Sequence, residues 1–268
     1  MADELHPPRL GRRQGRWCAL DLDGTHRTVT GDGLSEQWST TDVLDGFRSG
    51  HLVLGEAIDD GDDWESPLVG VASIWCCLGN APGVSDGDAP PPFDAFVRAP
   101  SSLSGAVDGV RVPVAPDRAT RGVRHELEVG LLLGSTPEFD DPLGAVSAVV
   151  LALDLAAAGS EDRSFRKSFP TFCPVGPVVV PIEWCPDLAS LTVELTVNGG
   201  GRQTTAVADL VRGPAEVLRL LGQAVGPGRD HLVLLGAPPD GGRLAAGDAV
   251  VARWGIGPDL VLEVVGTR

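Results

Sequence analysis

The chain has 268 residues, 43% of them hydrophobic, which is enough for a sizeable core and excludes general disorder. Its net charge of −16 argues against nucleic acid or an anionic membrane surface as a partner. The five cysteines, Cys18, Cys76, Cys77, Cys173 and Cys185, form an odd set with no C-x-x-C pair, so they read as reduced thiols rather than a disulfide framework or zinc site.

The opening Met-Ala-Asp-Glu-Leu-His is charged and has no apolar core, so no secretory signal is read there. The longest apolar run, Gly144 to Gly159, is too short to span a bilayer and contains Asp154. A cytoplasmic location is expected. Residues 1 to about 15, with Pro7, Pro8 and several arginines, read as a loose lead-in. Trp17 to Asp23 alternates like a half-buried strand. Asp21-Leu-Asp-Gly-Thr25 superficially matches the D-x-D-G-T nucleophile loop of haloacid-dehalogenase-like phosphatases. That motif needs a frame of repeating βα units, and the rest of this chain reads as β-rich, so a turn at a strand end is expected instead.

Leu52–Ile58 reads as a strand and Asp59–Glu65 as a solvated acidic loop, since it lacks the ligand spacing and the final Glu of an EF-hand. Val71–Leu78 is a buried strand, and the Gly-, Pro- and Asp-rich stretch 79–93 marks a long loop or lid. The expected division is a small N-terminal domain over 1–70 and a main domain over 71–268.

Val123–Leu133 reads as a strand carrying Glu126 and Glu128. Side chains two apart leave a strand on one face, so both carboxylates point the same way, whereas His125 points the other way and takes a structural role. Asp154 is the only charge in Ala148–Ala158, and a lone buried carboxylate needs a partner. Three acids in apolar strand-like surroundings suggest an oxygen-only site for a hard cation. Lys167 is the single lysine in a chain with 21 basic residues.

Beyond Pro177, Val178–Ile182 and Leu191–Asn198 read as strands, with a turn at Gly199-Gly-Gly201 and a return strand opening at Arg202-Gln203. Pro214–Val225 has Pro in its first turn and helical apolar spacing. Leu232–Pro238, Leu244–Arg253 and Leu260–Val265 close the chain as β structure. The fold class is α+β and β-rich.

Over residues 70 to 265 the chain resembles the fumarylacetoacetate hydrolase superfamily. The resemblance rests on an ordered series: Phe96-Val-Arg-Ala-Pro-Ser-Ser-Leu-Ser-Gly105, His125-Glu126-Leu-Glu128, Asp154, Lys167 through Pro174-Val-Gly176-Pro177, Val197-Asn-Gly199, Gln203, Gly247-Asp248 and Gly255-Ile-Gly257. It implies a fumarylacetoacetase-like β-roll catalytic domain, usually dimeric, holding Mg²⁺, Mn²⁺ or Ca²⁺ on Glu126, Glu128 and Asp154. Such enzymes cleave, decarboxylate, hydrate or isomerise oxo acids and diketones. Lys167 would stabilise the enolate or oxyanion, with Gly176, Pro177, Gly236 and Ala237 lining the substrate site.

Three departures bear on the reaction. Family hydrolases carry a lid His with a Glu partner, and Ala81–Pro90 here holds neither. The T-G-T-P loop reads Leu235-Gly236-Ala237-Pro238. The Arg expected after the metal Asp is replaced by Ala156-Ala-Ala-Gly159, and Arg163 or Arg166 either takes its place or simply sits in the loop. His26 and His51 lie in the small domain and could reach over a lid. The expected function is metal-dependent enolate chemistry on an oxo acid or β-dicarbonyl, ending in C–C hydrolysis or decarboxylation. The alternatives are a repurposed isomerase, cyclase or dehydratase of a biosynthetic pathway, and a catalytically silent binding homologue.

Overall fold

The computed structural model describes residues 6–21, 23–81, 90–113, 122–185, 187–238 and 242–266. Its spine is an antiparallel pair of long strands, Val123–Leu133 and Val146–Ala157. Every residue of the second strand is buried, in keeping with its run of Val, Leu and Ala. Around this pair a large sheet extends through Val178–Pro181 to the N-terminal strands on one side, and through His231–Leu234, Ser73–Leu78 and Asp94–Arg98 on the other. A second, five-stranded sheet contains Thr192–Val197, Gly200–Ala206, Ala249–Arg253 and Leu260–Val265.

Period-two alternation divides the spine between two cores. Leu127, Val129, Leu131 and Leu133, with Leu151, Leu153 and Leu155, pack with Val193, Leu195, Val250 and Leu262 of the second sheet. The other face, with Leu132, Ala148, Val150 and Ala152, packs with Leu10, Val43, Leu44, Cys76 and Val179. Glu126, Glu128 and Asp154 share the parity of this second face and replace its apolar residues at one end. The β-rich α+β architecture expected from the sequence is therefore present.

The helix Thr40–Arg48 covers part of the second face. Ser39 and Asp42 form a reciprocal capping box at its start, and Val43, Leu44 and Phe47 are buried. Arg48 at its last turn reaches Glu183 (Nε–Oε1 2.7 Å) and the Ser147 hydroxyl (2.9 Å), fastening the helix to the spine.

Local expectations were corrected in three places. The supposed lead-in contains the strand Arg9–Arg13, hairpinned to Arg16–Leu20 and paired with Val178 and Val179. The Gln14-Gly15 corner has φ of 52° and 76°, which suits a tight two-residue turn. The acidic stretch before residue 66 ends in the strand Trp64–Glu65, because Trp64 is buried against Gly11, where a Cβ would collide with its ring. The later hairpin turns at Asn198-Gly199 (φ 52° and 75°), so the return strand starts at Gly200 rather than Arg202. Pro214–Ala224 is helical, as its spacing predicts. In the phosphatase-like stretch the Asp21 N–H donates to the Thr25 carbonyl at 2.9 Å, and the strand His26–Gly31 follows, paired antiparallel with Arg16–Leu20. The cysteines are free and buried. No described helix is long and apolar enough to cross a membrane.

Burial alone would raise the Glu183 carboxyl, but the hydrogen bonds and charge of Arg48 outweigh it and leave it below its ordinary value of 4.5. A lowered carboxylate contributes stability above its unfolded pKa and loses it as pH falls through the folded one. Glu183→Gln should therefore cost about 1–2 kcal/mol at pH 7. The gap to the unmutated protein should close below pH 4.5, as followed by urea denaturation across pH.

Candidate metal centre

The register of the spine sets the site. Glu126 lies opposite Asp154, and Glu128 lies opposite Ala152 two residues along the same face. One carboxylate oxygen from each acid comes within 4.8 Å of the others. Glu128 and Asp154 are buried, whereas the Glu126 side chain is 27% exposed, so the cluster opens to solvent on the Glu126 side.

Three like charges cannot share a buried pocket uncompensated. Lys167 ends the short helix Arg163–Lys167, which starts at an Asp162 cap, and its ammonium enters the cluster. Its Nζ donates to Glu126 Oε2 at 2.7 Å and to Asp154 Oδ2. Burial opposes that charge, but the negative charges of Asp154, Glu126 and Glu128 prevail and hold the amine above its ordinary value. Arg98, fully enclosed, supplies the second cation. Its guanidinium donates to Asp154 Oδ1, to the carbonyls of Lys167 and Phe172 (the latter 2.6 Å), and through Nε to Ser102 Oγ at 3.2 Å. It ties the ligand strand to the segment that carries Lys167.

Glu128 is placed from the opposite side. Its Oε2 accepts the Gly236 N–H at 2.6 Å. Burial and the charge of Asp154 drive its carboxyl well above the usual carboxylate range, against Lys167 and the Gly236 donor. Gly236 has φ +101°, a conformation that favours glycine, and a Cβ there would stand 3.2 Å from the Asn80 Cβ. The buried Asn80 carboxamide holds this corner. It donates to the carbonyls of Leu235 (2.8 Å) and Arg212 (3.0 Å) and accepts the Arg212 N–H at 2.8 Å.

Other expected site residues fall in different surroundings. Arg163 is exposed and Arg166 half-buried, and Arg98, not either of them, is the arginine on Asp154. Gly176 donates to the Leu151 carbonyl at 3.1 Å, and the Pro177 carbonyl faces Gly11, so both brace the ligand strand against the N-terminal strands. Ala237 is half-exposed. His125 lies on the opposite face, its ring beside Gly242. His26 packs edge-on against Trp64, and the His51 ring bonds Ser49. Of the lid Ala81–Pro90, residues 82–89 lie outside the described residues.

Sequence reasoning missed Arg98 and Asn80. Arg98 ends the strand Asp94–Arg98 as one more polar residue, and its acid partner lies 56 positions away, beyond any local pattern. A neutral Asn leaves no charge signal.

The donors are all oxygen, and fully ionised the three acids would exceed the two cations by one negative charge, a set that suits a hard divalent ion such as Mg²⁺, Mn²⁺ or Ca²⁺. Fold and donor set together describe a β-rich protein with a carboxylate-lined metal centre. The model of the fumarylacetoacetate (FAA) hydrolase C-terminal family matches residues 73–263, and the chain belongs to this family. It is 30% identical over 272 residues to a 2,4-didehydro-3-deoxy-L-rhamnonate hydrolase of Sphingomonas sp. (strain SKA58), covering 97% of this chain and 93% of that one. It is also 30% identical over 161 residues to a maleylpyruvate hydrolase of Aquipseudomonas alcaligenes, covering 59% of this chain and 55%, about half, of that relative. The maleylpyruvate hydrolase of Sphingobium sp. SYK-6, solved with manganese(II) and pyruvate, superposes with a TM-score of 0.79 at 22% identity, covering 97% of this chain and all of that one.

Arg98→Met would leave Asp154 short of a buried cation and the Lys167 carbonyl without its donor, while the Phe172 carbonyl keeps the Leu155 N–H at 3.0 Å. It is expected to cost about 3–5 kcal/mol of stability in urea denaturation at pH 7. Arg98→Lys should recover only part of this, since an ammonium cannot reproduce the fork.

Proposed function

We propose that the chain is a divalent-metal-dependent enzyme that polarises an oxo-acid or β-dicarbonyl substrate, stabilises its enolate and carries it to C–C cleavage by hydrolysis or decarboxylation. The convergence of Glu126, Glu128 and Asp154 on one point beside Lys167 carries this reading. A divalent cation held by those oxygens would supply Lewis-acid polarisation of a chelated carbonyl. With the cation bound and all three acids ionised on it, the cluster would carry one net positive charge, which favours an anionic oxo acid.

The protein's own part begins with Lys167. Its ammonium stands on the carboxylates and donates to substrate oxygen as negative charge develops there, the kind of preorganised donor that favours a transition state over a ground state. Arg98 pairs with Asp154 and fixes the carbonyl of Lys167, so donor and ligand move as one body. Glu126, on the open side, borders the entry of substrate. Gly236, Ala237, Arg163 and Arg166 are assigned to the approach, with Gly176 and Pro177 as the brace behind it. Residues 71–268 are taken as the catalytic part and 1–70 as an N-terminal appendage. The proposal extends to a cytoplasmic homodimer acting on a small molecule, with neither nucleic acid nor membrane as partner.

A second reading, isomerisation of the same enolate in a biosynthetic setting, is favoured by one observation. Among the described residues no histidine is hydrogen-bonded to the carboxylate cluster, and His125 is turned to Gly242. Polarisation and proton return need less than activation of water does.

Glu128→Ala is expected to abolish both Mn²⁺ or Mg²⁺ binding by calorimetry and turnover of acylpyruvates. A full-rate Glu128→Ala enzyme would refute the proposal, and metal binding without turnover of any oxo acid would leave a binding homologue. Lys167→Met should lower kcat about 10²–10³-fold with metal binding retained, as expected for loss of one oxyanion donor. Product analysis with an acylpyruvate separates cleavage from isomerisation.

A further inference from the structure

The strand that carries Glu126 and Glu128 has one edge paired throughout with Val146–Ala157, and a second edge that is paired only in part. On that second edge Gly130–Leu132 pair with Leu232–Leu234, and Val123–Arg124 pair with Arg243–Leu244. Single backbone bonds extend each end: Leu235 N–H to the Val129 carbonyl at 3.1 Å, and His125 N–H to the Gly242 carbonyl at 3.2 Å. Between them the neighbouring chain has turned away at Gly236 to bring its N–H onto Glu128. Leu127, the residue between the two acids, thus faces a gap in the sheet. A buried backbone group left so would be destabilising.

One side chain fills the gap. The Gln203 carboxamide accepts the Leu127 N–H through Oε1 at 2.8 Å and donates to the Leu127 carbonyl through Nε2 at 2.6 Å. The remaining Nε2 hydrogen goes to Thr205 Oγ1 at 2.9 Å, which orients the amide. A primary amide presents the same donor and acceptor as a peptide unit, so Gln203 acts as a one-residue β partner from the second sheet.

Its leverage comes from which atoms it grips. The N–H of Leu127 belongs to the peptide unit shared with Glu126, and its carbonyl to the unit shared with Glu128. One amide therefore fixes the two peptide planes from which both carboxylates depart. We propose that Gln203 is a positioning residue of the metal centre, holding Glu126 and Glu128 in a chelating orientation at the one point where the sheet does not. This rests on the reading of those acids as metal ligands.

The test is Mn²⁺ titration of the metal-free full-length protein by calorimetry, with thermal melting in parallel. Gln203→Met keeps the bulk and removes both bonds; it is expected to weaken Mn²⁺ binding about 10–100-fold, the usual effect of losing a partner that orients ligands. The Mn²⁺ concentration giving half-maximal activity should rise with it, while KM for the substrate at saturating Mn²⁺ changes less. Thr205→Val, which frees only the far side of the amide, should show a smaller loss in the same direction. A Gln203→Met protein that melts lower yet binds Mn²⁺ within twofold of the unmutated protein overturns the proposal, since that is the behaviour of a merely structural bond. If Gln203→Met does not fold, Gln203→Glu is read instead: it keeps the acceptor for the Leu127 N–H, loses the donor, and is expected to weaken Mn²⁺ binding about tenfold. Unchanged Mn²⁺ affinity in that variant overturns the proposal equally. An unmutated protein that binds no Mn²⁺ is a different result, removing the metal reading and Gln203's role together.

Discussion

The structure depends on a concentration of negative charge that the apolar spine cannot tolerate alone. Glu126 and Asp154 stand opposite each other on a buried pair of strands, with Glu128 two residues on. Nothing in the surrounding Val, Leu and Ala offsets those charges. The chain answers with groups brought from far away in sequence: Lys167 from a short helix, Arg98 from the end of a distant strand, and the backbone N–H of Gly236 from a glycine corner. Each of these is held by further bonds of its own. Much of the loop architecture on this side of the sheet exists to deliver compensation to one small volume.

That arrangement also explains why the two faces of the spine differ. The face toward the five-stranded sheet is apolar along its length apart from His125 and carries the larger core. The opposite face starts as core beneath the N-terminal helix and ends as chemistry, so one alternating sequence pattern serves stability and reactivity at once. Burial on both sides keeps the ligand backbone rigid. The edge gap beside Leu127 is the exception, and it arises because the neighbouring chain is needed at Glu128 instead.

Legibility in the sequence followed the range of the interactions. The shared face of Glu126 and Glu128, the isolation of Asp154, and the singular Lys167 were readable because strand periodicity and charge context are local. The helix at Pro214 was readable for the same reason. Arg98 and Asn80 were not, because each is defined by partners remote in sequence and neither breaks a local pattern. Gln203 was visible only as part of an ordered series, with no sign that its amide substitutes for a strand. The strand at Arg9–Arg13 was overlooked because half-buried arginines on an internal strand look, in sequence, like a polar tail. The Asn198-Gly199 turn was displaced by one residue because three consecutive glycines offered several equivalent corners.

The single lysine has a consequence for how this protein meets other reagents. Apart from the α-amino group, Lys167 is the chain's only primary amine, and it is 5% exposed. A lysine-specific protease has one peptide bond to cut, inside the site itself. The bond is presented only when the Arg163–Lys167 helix leaves the carboxylates. Cleavage by such an enzyme is thus a clock for the opening of this one cluster, independent of fraying elsewhere in the fold.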